Sequence, residues 1–275
     1  MTGVLVIGGT GKTGSALVEL LRGNDVPVRV GTRNPSGGDT VRFDWNDPAT
    51  HEAALRGMDR VYLVPPLLNV DPMPLVGPLL GNARRLDMRV VLLGSAIVLP
   101  DAPGALELDA QVRAQPGWTV LRPSGFMQNF LRPHPLGARI RQHGEIRTSA
   151  GDGRLGWVDA RDIAAAAYAV LSNPGEQREY LLTGPKALSY PDTAAIITAH
   201  TGRPTRVVHI STEQQAANYR AAGIPASFAT ALAAMENGIR AGVEDRVSTS
   251  VLDLTGRPPR TFAEFVQEHA DEWVR

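Results

Sequence analysis

Cysteine is absent from the 275 residues, which excludes disulfides, a thiolate nucleophile and any cysteine-based zinc site. Lysine is scarce as well: every basic residue except Lys12 and Lys186 is an arginine or a histidine, a skew read as GC-rich coding. Neither sign of charge is in surplus, because Lys plus Arg and Asp plus Glu each total 28. Nucleic-acid binding draws on a basic surplus that displaces counterions, so no nucleic-acid partner is expected. Long hydrophobic runs are missing too. The first apolar run, Val4–Ile7, stops at Gly8, and no stretch reaches the ~20 apolar residues of a membrane span. Neither a signal peptide nor a membrane association is read here, and the expected location is the cytoplasm. The six histidines show no His-x-x-x-His spacing, so no metal is expected. Pro123-Ser124-Gly125 lacks the first glycine of a nucleophile elbow. What remains is a chain with 43% hydrophobic residues, enough to bury a core and exclude disorder.

The first half alternates short apolar runs with helical spacing. Strands are expected at Val4–Ile7, Val26–Val30, Thr40–Phe43, Arg60–Val64, Arg89–Leu93 and Trp118–Leu121. Helices are expected between them at Thr13–Leu21, Pro48–Leu55, Leu75–Leu86 and Leu106–Arg113. The strand runs are apolar at successive positions rather than alternating, as in a parallel sheet covered on both faces. After Arg122-Pro123 the texture changes. The segment from His134 to Gly156 reads as long loops, and helices follow at Asp162–Leu171, Pro191–His200, Glu213–Ala221, Ser227–Ile239 and Phe262–Trp273. The expected fold is α/β: a Rossmann-like, doubly wound parallel sheet with a smaller, mostly helical C-terminal substrate region. Residues 1–133 are taken as the nucleotide-binding domain and 134–275 as the substrate-binding region, with the segment near 157–172 returning to the sheet. The Ala-rich stretch Ile163–Ala169 suits close packing, either on that sheet or on a second copy in a homodimer.

Gly8-Gly9-Thr10-Gly11-Lys12-Thr13-Gly14 follows the first strand and precedes a helix. Gly8, Gly11 and Gly14 form Gly-x-x-Gly-x-x-Gly: a tight turn, a bare backbone beside a pyrophosphate, and a close meeting of helix and strand. A phosphate loop of the NTPase type needs glycine five residues before Gly11, where Val6 stands, and is rejected. No carboxylate lies between Val26 and Gly38 to bind a ribose diol, whereas Arg33 sits where a 2′-phosphate would be gripped. NADP is therefore expected over NAD. Asp44, in Phe43-Asp44-Trp45, is placed near the adenine, while Pro65, Pro66 and Ser95 stand at later strand ends, where open α/β sheets bind ligands.

Together these segments resemble the NmrA-like group of atypical short-chain dehydrogenase/reductases. The resemblance runs through Ile7–Thr13, Phe43-Asp44-Trp45, Tyr62-Leu63-Val64-Pro65-Pro66, Trp118–Pro123, Phe126-Met127-Gln128-Asn129-Phe130, Gly151-Asp152-Gly153 and Thr255–Phe262. Gly-Gly-Thr-Gly-Lys-Thr with Phe-Asp-Trp looks most like the branch of the ergot-alkaloid reductases, whose festuclavine and agroclavine dehydrogenases reduce a cyclic iminium with NADPH. The resemblance implies the same reaction class here. It equally includes quinone reductases and NADP-sensing regulators without turnover, and both stay open as alternatives.

One familiar device is missing. Short-chain carbonyl reductases use Tyr-x-x-x-Lys, in which the lysine tunes the tyrosine as an acid. Four residues after Tyr62, Tyr168, Tyr180, Tyr190 and Tyr219 stand Pro66, Ser172, Gly184, Ala194 and Gly223, none of them lysine. An iminium carbon needs no proton in the hydride step, and a quinone can take its proton from solvent. Ser95 and Tyr190 are the candidates for an acid drawn from elsewhere. Phe126, Asn129, Phe130 and Trp157 are candidate pocket walls, with Asp152 and Asp159 as candidate counter-charges for a cationic small-molecule substrate.

Overall fold

The structure, a computed structural model, describes residues 3–97, 99, 102–173 and 177–274. In chain order its elements begin β1 (Gly3–Ile7), α1 (Gly14–Gly23), β2 (Val28–Thr32), β3 (Thr40–Arg42), α2 (Ala49–Leu55), β4 (Met58–Leu63), α3 (Met73–Arg85) and β5 (Arg89–Leu93). They continue with α4 (Pro103–Arg113), β6 (Thr119–Pro123), α5 (Pro135–His143), β7 (Glu145–Thr148), β8 (Arg154–Leu155), α6 (Ala160–Ser172) and β9 (Arg178–Leu182). The last are β10 (Leu188–Ser189), α7 (Tyr190–Thr201), β11 (Arg206–His209), α8 (Thr212–Ala221), α9 (Ala226–Arg240), α10 (Ser250–Thr255) and α11 (Phe262–Glu268). Two compact units divide the chain. The first takes the residues up to Ser95, then Ala102–Arg122 and Ala160–Leu181; the second takes the remainder.

The first unit is built on a seven-stranded sheet of order β3-β2-β1-β4-β5-β6-β9, and the pairings from β3 through β6 are parallel. Strand order reverses between β1 and β4, which places a topological switch point at their carboxyl ends. All five residues of β1 are buried because helices cover both faces. On one face Leu5, Ile7, Leu63 and Leu92 pack with Leu79 of α3 and Val112 of α4. On the other, α1 packs against α6. Ile163, Ala164, Ala166, Ala167, Val170 and Leu171 of α6 are all buried within this chain. Two arginines at the amino ends of β4 and β5 close that helix: Arg60 Nη1 donates to the Leu171 carbonyl at 2.7 Å and Arg89 Nη1 to that of Val170 at 3.1 Å. Cationic donors there satisfy the last carbonyls and oppose the helix dipole.

The second strand starts later than its apolar run suggests. Val26 donates its N–H to the Leu21 carbonyl and so finishes the cap of α1, with Asp25 at φ +55°. Pro27 has no N–H to give, and its carbonyl accepts from Val4. The strand then runs on to Thr32, which carries the loop holding Arg33 beyond it.

The second unit is mostly helical. Three of its helices open on reciprocal capping boxes, Ser189 with Asp192, Ser211 with Gln214, and Thr261 with Glu264. The segment expected as loops from His134 to Gly156 holds α5, β7 and β8, with β7 paired in parallel to β11 and β8 antiparallel to β10. These strands span only two to four residues and carry charges such as Glu145, Arg147 and Arg206, so no period-two pattern announces them. The last helix is shorter than its apolar spacing suggests: α11 ends at Glu268, and a 3₁₀ turn over Ala270–Glu272 follows. Its core gathers Phe130, Trp157, Ile197, Phe262, Phe265 and Trp273.

Candidate functional site

The glycine loop occupies the carboxyl end of β1, at the switch point. Gly8 has φ +78°, a left-handed conformation that favours glycine, and Gly11 donates its N–H to the Gly8 carbonyl at 2.9 Å. Gly14 opens α1 so close to the turn that a Cβ there would lie 2.2 Å from the Gly8 oxygen. Thr13 precedes the helix without capping it, and the first turn holds no acidic residue. No side chain caps the helix start, and its positive dipole end is the arrangement an anion favours.

The Thr13 side chain is engaged elsewhere. Tyr62 on β4 is completely buried, and its hydroxyl donates to Thr13 Oγ1 at 3.0 Å. That bond ties the loop to the neighbouring strand. Gly9 and Thr10 sit within the turn; Thr10, Gly11 and Lys12 are exposed at its tip, while Thr13 and Gly14 are buried.

Around the loop lie the tips of four other strands. Arg33, just past β2, is exposed, and its guanidinium has no hydrogen-bond or ion-pair partner among the described residues. Beyond β3, Asp44 forms a tight turn: its Oδ1 accepts from the Asn46 N–H at 3.0 Å and its carbonyl oxygen contacts His51 Nε2 at 3.0 Å. His51 is buried and stacks on Phe43 with ring centroids 4.8 Å apart. Burial pushes its pKa down against the pull of the Asp44 carbonyl and of Asp47 and Asp44. Pro65 and Pro66 follow β4 and are half-buried. Leu67 and Leu68 come next, 83% and 46% exposed, the second at φ +59°. Ser95, past β5, is exposed, and its carbonyl accepts from Arg122 Nη1 at 3.2 Å. Arg122 is itself held by Glu179 at 2.5 Å and Asp109 at 2.6 Å, which outweigh burial and raise its pKa.

The second unit places the expected pocket residues unequally. Phe126 bridges to Val158, and Phe126 and Asn129 are half-buried. Phe130 has no exposed surface and Trp157 keeps 3%; their rings meet edge to face at 4.9 Å within the core. Trp157 Nε1 donates to the Leu188 carbonyl, and a Cβ on Gly125 would strike its ring at 2.5 Å. Tyr190, at the head of α7, packs 5.4 Å from Trp157. Burial and then the Glu236 charge raise its pKa, which makes it a weaker acid than an ordinary tyrosine. Asp159 is buried, hydrogen-bonded by Gln128 and paired with Arg260.

Sequence reasoning did not single out Tyr62, Arg122 or Glu236 as site residues. Tyr62 offered one signal, a tyrosine whose strand ends in Pro65-Pro66; Arg122 and Glu236 each draw in part on a partner distant in sequence, Glu179 at 57 positions and Ser149 at 87. No cluster of metal ligands occurs among the described residues. Among the described residues, no helix is long and apolar enough to cross a membrane.

Burial gives the tyrosines a measurable consequence. Tyr62, Tyr190 and Tyr219 all have pKa values pushed above the usual value near 10, chiefly by loss of water. Above about pH 10 the unfolded chain releases these protons while the folded chain keeps them. Stability present below that pH is therefore lost as pH rises, by up to about 1.4 kcal/mol per tyrosine per pH unit. The urea midpoint should fall steeply between about pH 10 and 12, with phenolate absorbance rising together with unfolding. The fall should be shallower in Tyr62→Phe; an identical alkaline limb would contradict the assignment.

No family model matches the chain. An NAD(P)H azoreductase of Xenophilus azovorans is 37% identical, with 97% of this chain and 98% of that protein covered. An agroclavine dehydrogenase of Claviceps fusiformis is 34% identical, with 98% of each covered. Among solved structures, an NADPH-dependent quinone oxidoreductase of Escherichia coli superposes with a TM-score of 0.82 at 25% identity, covering 97% of this chain and 99% of that one. The chain belongs to the NmrA-like atypical short-chain dehydrogenase/reductases, an NAD(P)-dependent oxidoreductase family.

Proposed function

We propose that this protein is an NADPH-dependent reductase that passes hydride to a small cyclic iminium, imine or conjugated acceptor. The observation that carries the reading is a nucleotide cradle without Tyr-x-x-x-Lys. A chain of this family that lacks the paired acid is suited to acceptors that require no proton in the hydride step. NADPH, when bound, supplies the hydride. The residues fit it: the close approach of Gly14 to Gly8 leaves backbone room, and the uncapped start of α1 offers N–H groups to a pyrophosphate.

Gly8, Gly9, Thr10, Gly11, Lys12, Thr13 and Gly14 would form this cradle, Arg33 would hold the 2′-phosphate, and Asp44 would serve the adenine. Pro65, Pro66 and Ser95 would serve the nicotinamide end, with Arg122 fixing the Ser95 carbonyl. Phe126 and Asn129 keep accessible surface for an acceptor, whereas Phe130 and Trp157 are buried and serve the core. Catalysis then rests on positioning and exclusion of water.

A quinone acceptor is the second reading, favoured by the fold shared with the quinone oxidoreductase at 25% identity. One experiment tests both: NADPH absorbance is followed with a cyclic iminium, a quinone and a simple aldehyde in parallel. Rapid loss with the iminium or the quinone, and slow loss with the aldehyde, is the expected outcome. Equal rates with the aldehyde would mean that a built-in acid exists.

A further inference from the structure

A cavity of about 460 Å³ opens at the end of the sheet away from the glycine loop, within the first unit. It lies where β2, β3 and β4 begin and α2 ends. A space of that size holds a small organic molecule. Its walls are of two kinds. Val41, Ala53 and Met58 supply apolar surface, while Arg29, Arg56 and Asp39 supply charge.

The charges do not cancel. Asp39 is taken by Arg22, whose Nη2 reaches both carboxylate oxygens at 2.8 and 2.7 Å and whose Nε reaches one at 2.9 Å. Arg29 pairs with no carboxylate among the described residues. Only its Nη1 donates, to the carbonyls of Ala54 at 3.1 Å and Arg56 at 2.6 Å. The Arg56 side chain is exposed and has no hydrogen-bond or ion-pair partner among the described residues. The two carbonyls belong to the C-terminal end of α2, whose dipole amounts to at most about half a negative charge. Two guanidinium charges exceed it, and a guanidinium does not lose its proton in a protein.

Arg29 is also held in place. Its two bonds to fixed carbonyls orient the guanidinium, so an anion meeting the remaining N–H groups costs little side-chain entropy. The residue is half-buried, where a charge-assisted hydrogen bond is stronger than in open water.

We propose that this cavity binds a small organic monocarboxylate. Arg29 and Arg56 hold the carboxylate, and a hydrocarbon or aromatic body lies against Val41, Ala53 and Met58. A guanidinium fork matches the paired oxygens of a carboxylate. The apolar walls favour such a ligand over inorganic phosphate, which would leave them wet. The glycine loop follows the carboxyl end of β1, whereas this cavity is lined from the amino ends of the neighbouring strands, so the two sites are separate. The inference does not depend on the reductase reading.

Calorimetric titration at about pH 7, where carboxyl groups are ionised, tests it with benzoate, its neutral counterpart benzamide, and inorganic phosphate. Benzoate should bind at one site with a Kd of about 1 mM or below, at least about tenfold more tightly than benzamide or phosphate. Arg56→Gln should weaken benzoate about tenfold and leave benzamide unchanged. Its melting temperature should equal that of the unmodified chain, because the Arg56 side chain holds no partner among the described residues. Ala53→Phe enlarges an exposed helix residue that lines the cavity, and it should abolish saturable binding of benzoate. Excess NADPH should leave the benzoate affinity as it is. Should Ala53→Phe not melt cooperatively, Arg56→Gln decides alone. Benzoate binding that is absent at millimolar concentrations, equalled by benzamide or phosphate, unchanged in Arg56→Gln, or displaced by NADPH would overturn the proposal.

Discussion

Replacing Gly14 with alanine is expected to abolish measurable NADPH binding, a loss of more than about a hundredfold, and to lower the melting temperature. The added Cβ would stand 2.2 Å from the Gly8 oxygen and 2.8 Å from both the Gly8 carbonyl carbon and Gly9 Cα. All three are backbone atoms, so no side-chain rotation relieves the overlap. Either α1 moves away from β1 or the turn at Gly8 opens, and both displace the N–H groups proposed to hold the pyrophosphate. Overpacking of this kind costs about 1–3 kcal/mol in a packed interior. Gly23→Ala supplies the control: it lies in the same helix, a Cβ there meets nothing within 4 Å, and alanine is the better helix former. NADPH titration and a thermal melt of both variants separate the effects. Wild-type affinity in Gly14→Ala would sink the assignment of this loop as the nucleotide cradle.

The first unit was open to sequence reading because its strands are covered on both faces. Each residue of β1 must be apolar or glycine, and the glycines after it can only serve a turn at a strand end. The boundaries slipped where one residue does two jobs. Val26 is β-branched and apolar like a strand residue, but its N–H completes the cap of α1, and the strand begins only after Pro27. The short strands of the second unit were illegible for another reason. Glu145, Arg147 and Arg206 look like surface charges in the sequence, yet they form one ion cluster with Arg139 across β7 and β11. A local pattern carries no trace of a partner some 60 residues away.

The candidate site divides along the same line. Residues that act through local backbone geometry, such as Gly8, Gly11 and Gly14, are visible as spacing. Residues that act through a distant partner are not. Tyr62 meets Thr13 across 49 positions, and Glu236 meets Ser149 across 87. Aromatic residues mislead in the opposite direction: Phe126, Phe130 and Trp157 look alike on paper, but only Phe126 keeps substantial accessible surface.

Arg33→Ala should weaken NADPH binding about 10- to 100-fold and leave NADH within about twofold, with no change in thermal stability beyond about 0.5 kcal/mol. Between Val26 and Gly38 no carboxylate exists to hold both ribose hydroxyls, and the next one, Asp39, is gripped by Arg22 through Nε at 2.9 Å and Nη2 at 2.7 Å. Arg33 is exposed and has no partner among the described residues, so its removal breaks no contact of the fold. Whatever it contributes must come from a ligand. A guanidinium offers two parallel donors to a phosphate where an ammonium offers a point charge, so Arg33→Lys should fall between wild type and alanine. Equal losses for NADPH and NADH would place Arg33 on a phosphate common to both and remove the basis for preferring NADP. A loss confined to NADPH would leave the cradle at Gly14 and the discriminator at Arg33 as separable parts of one nucleotide site.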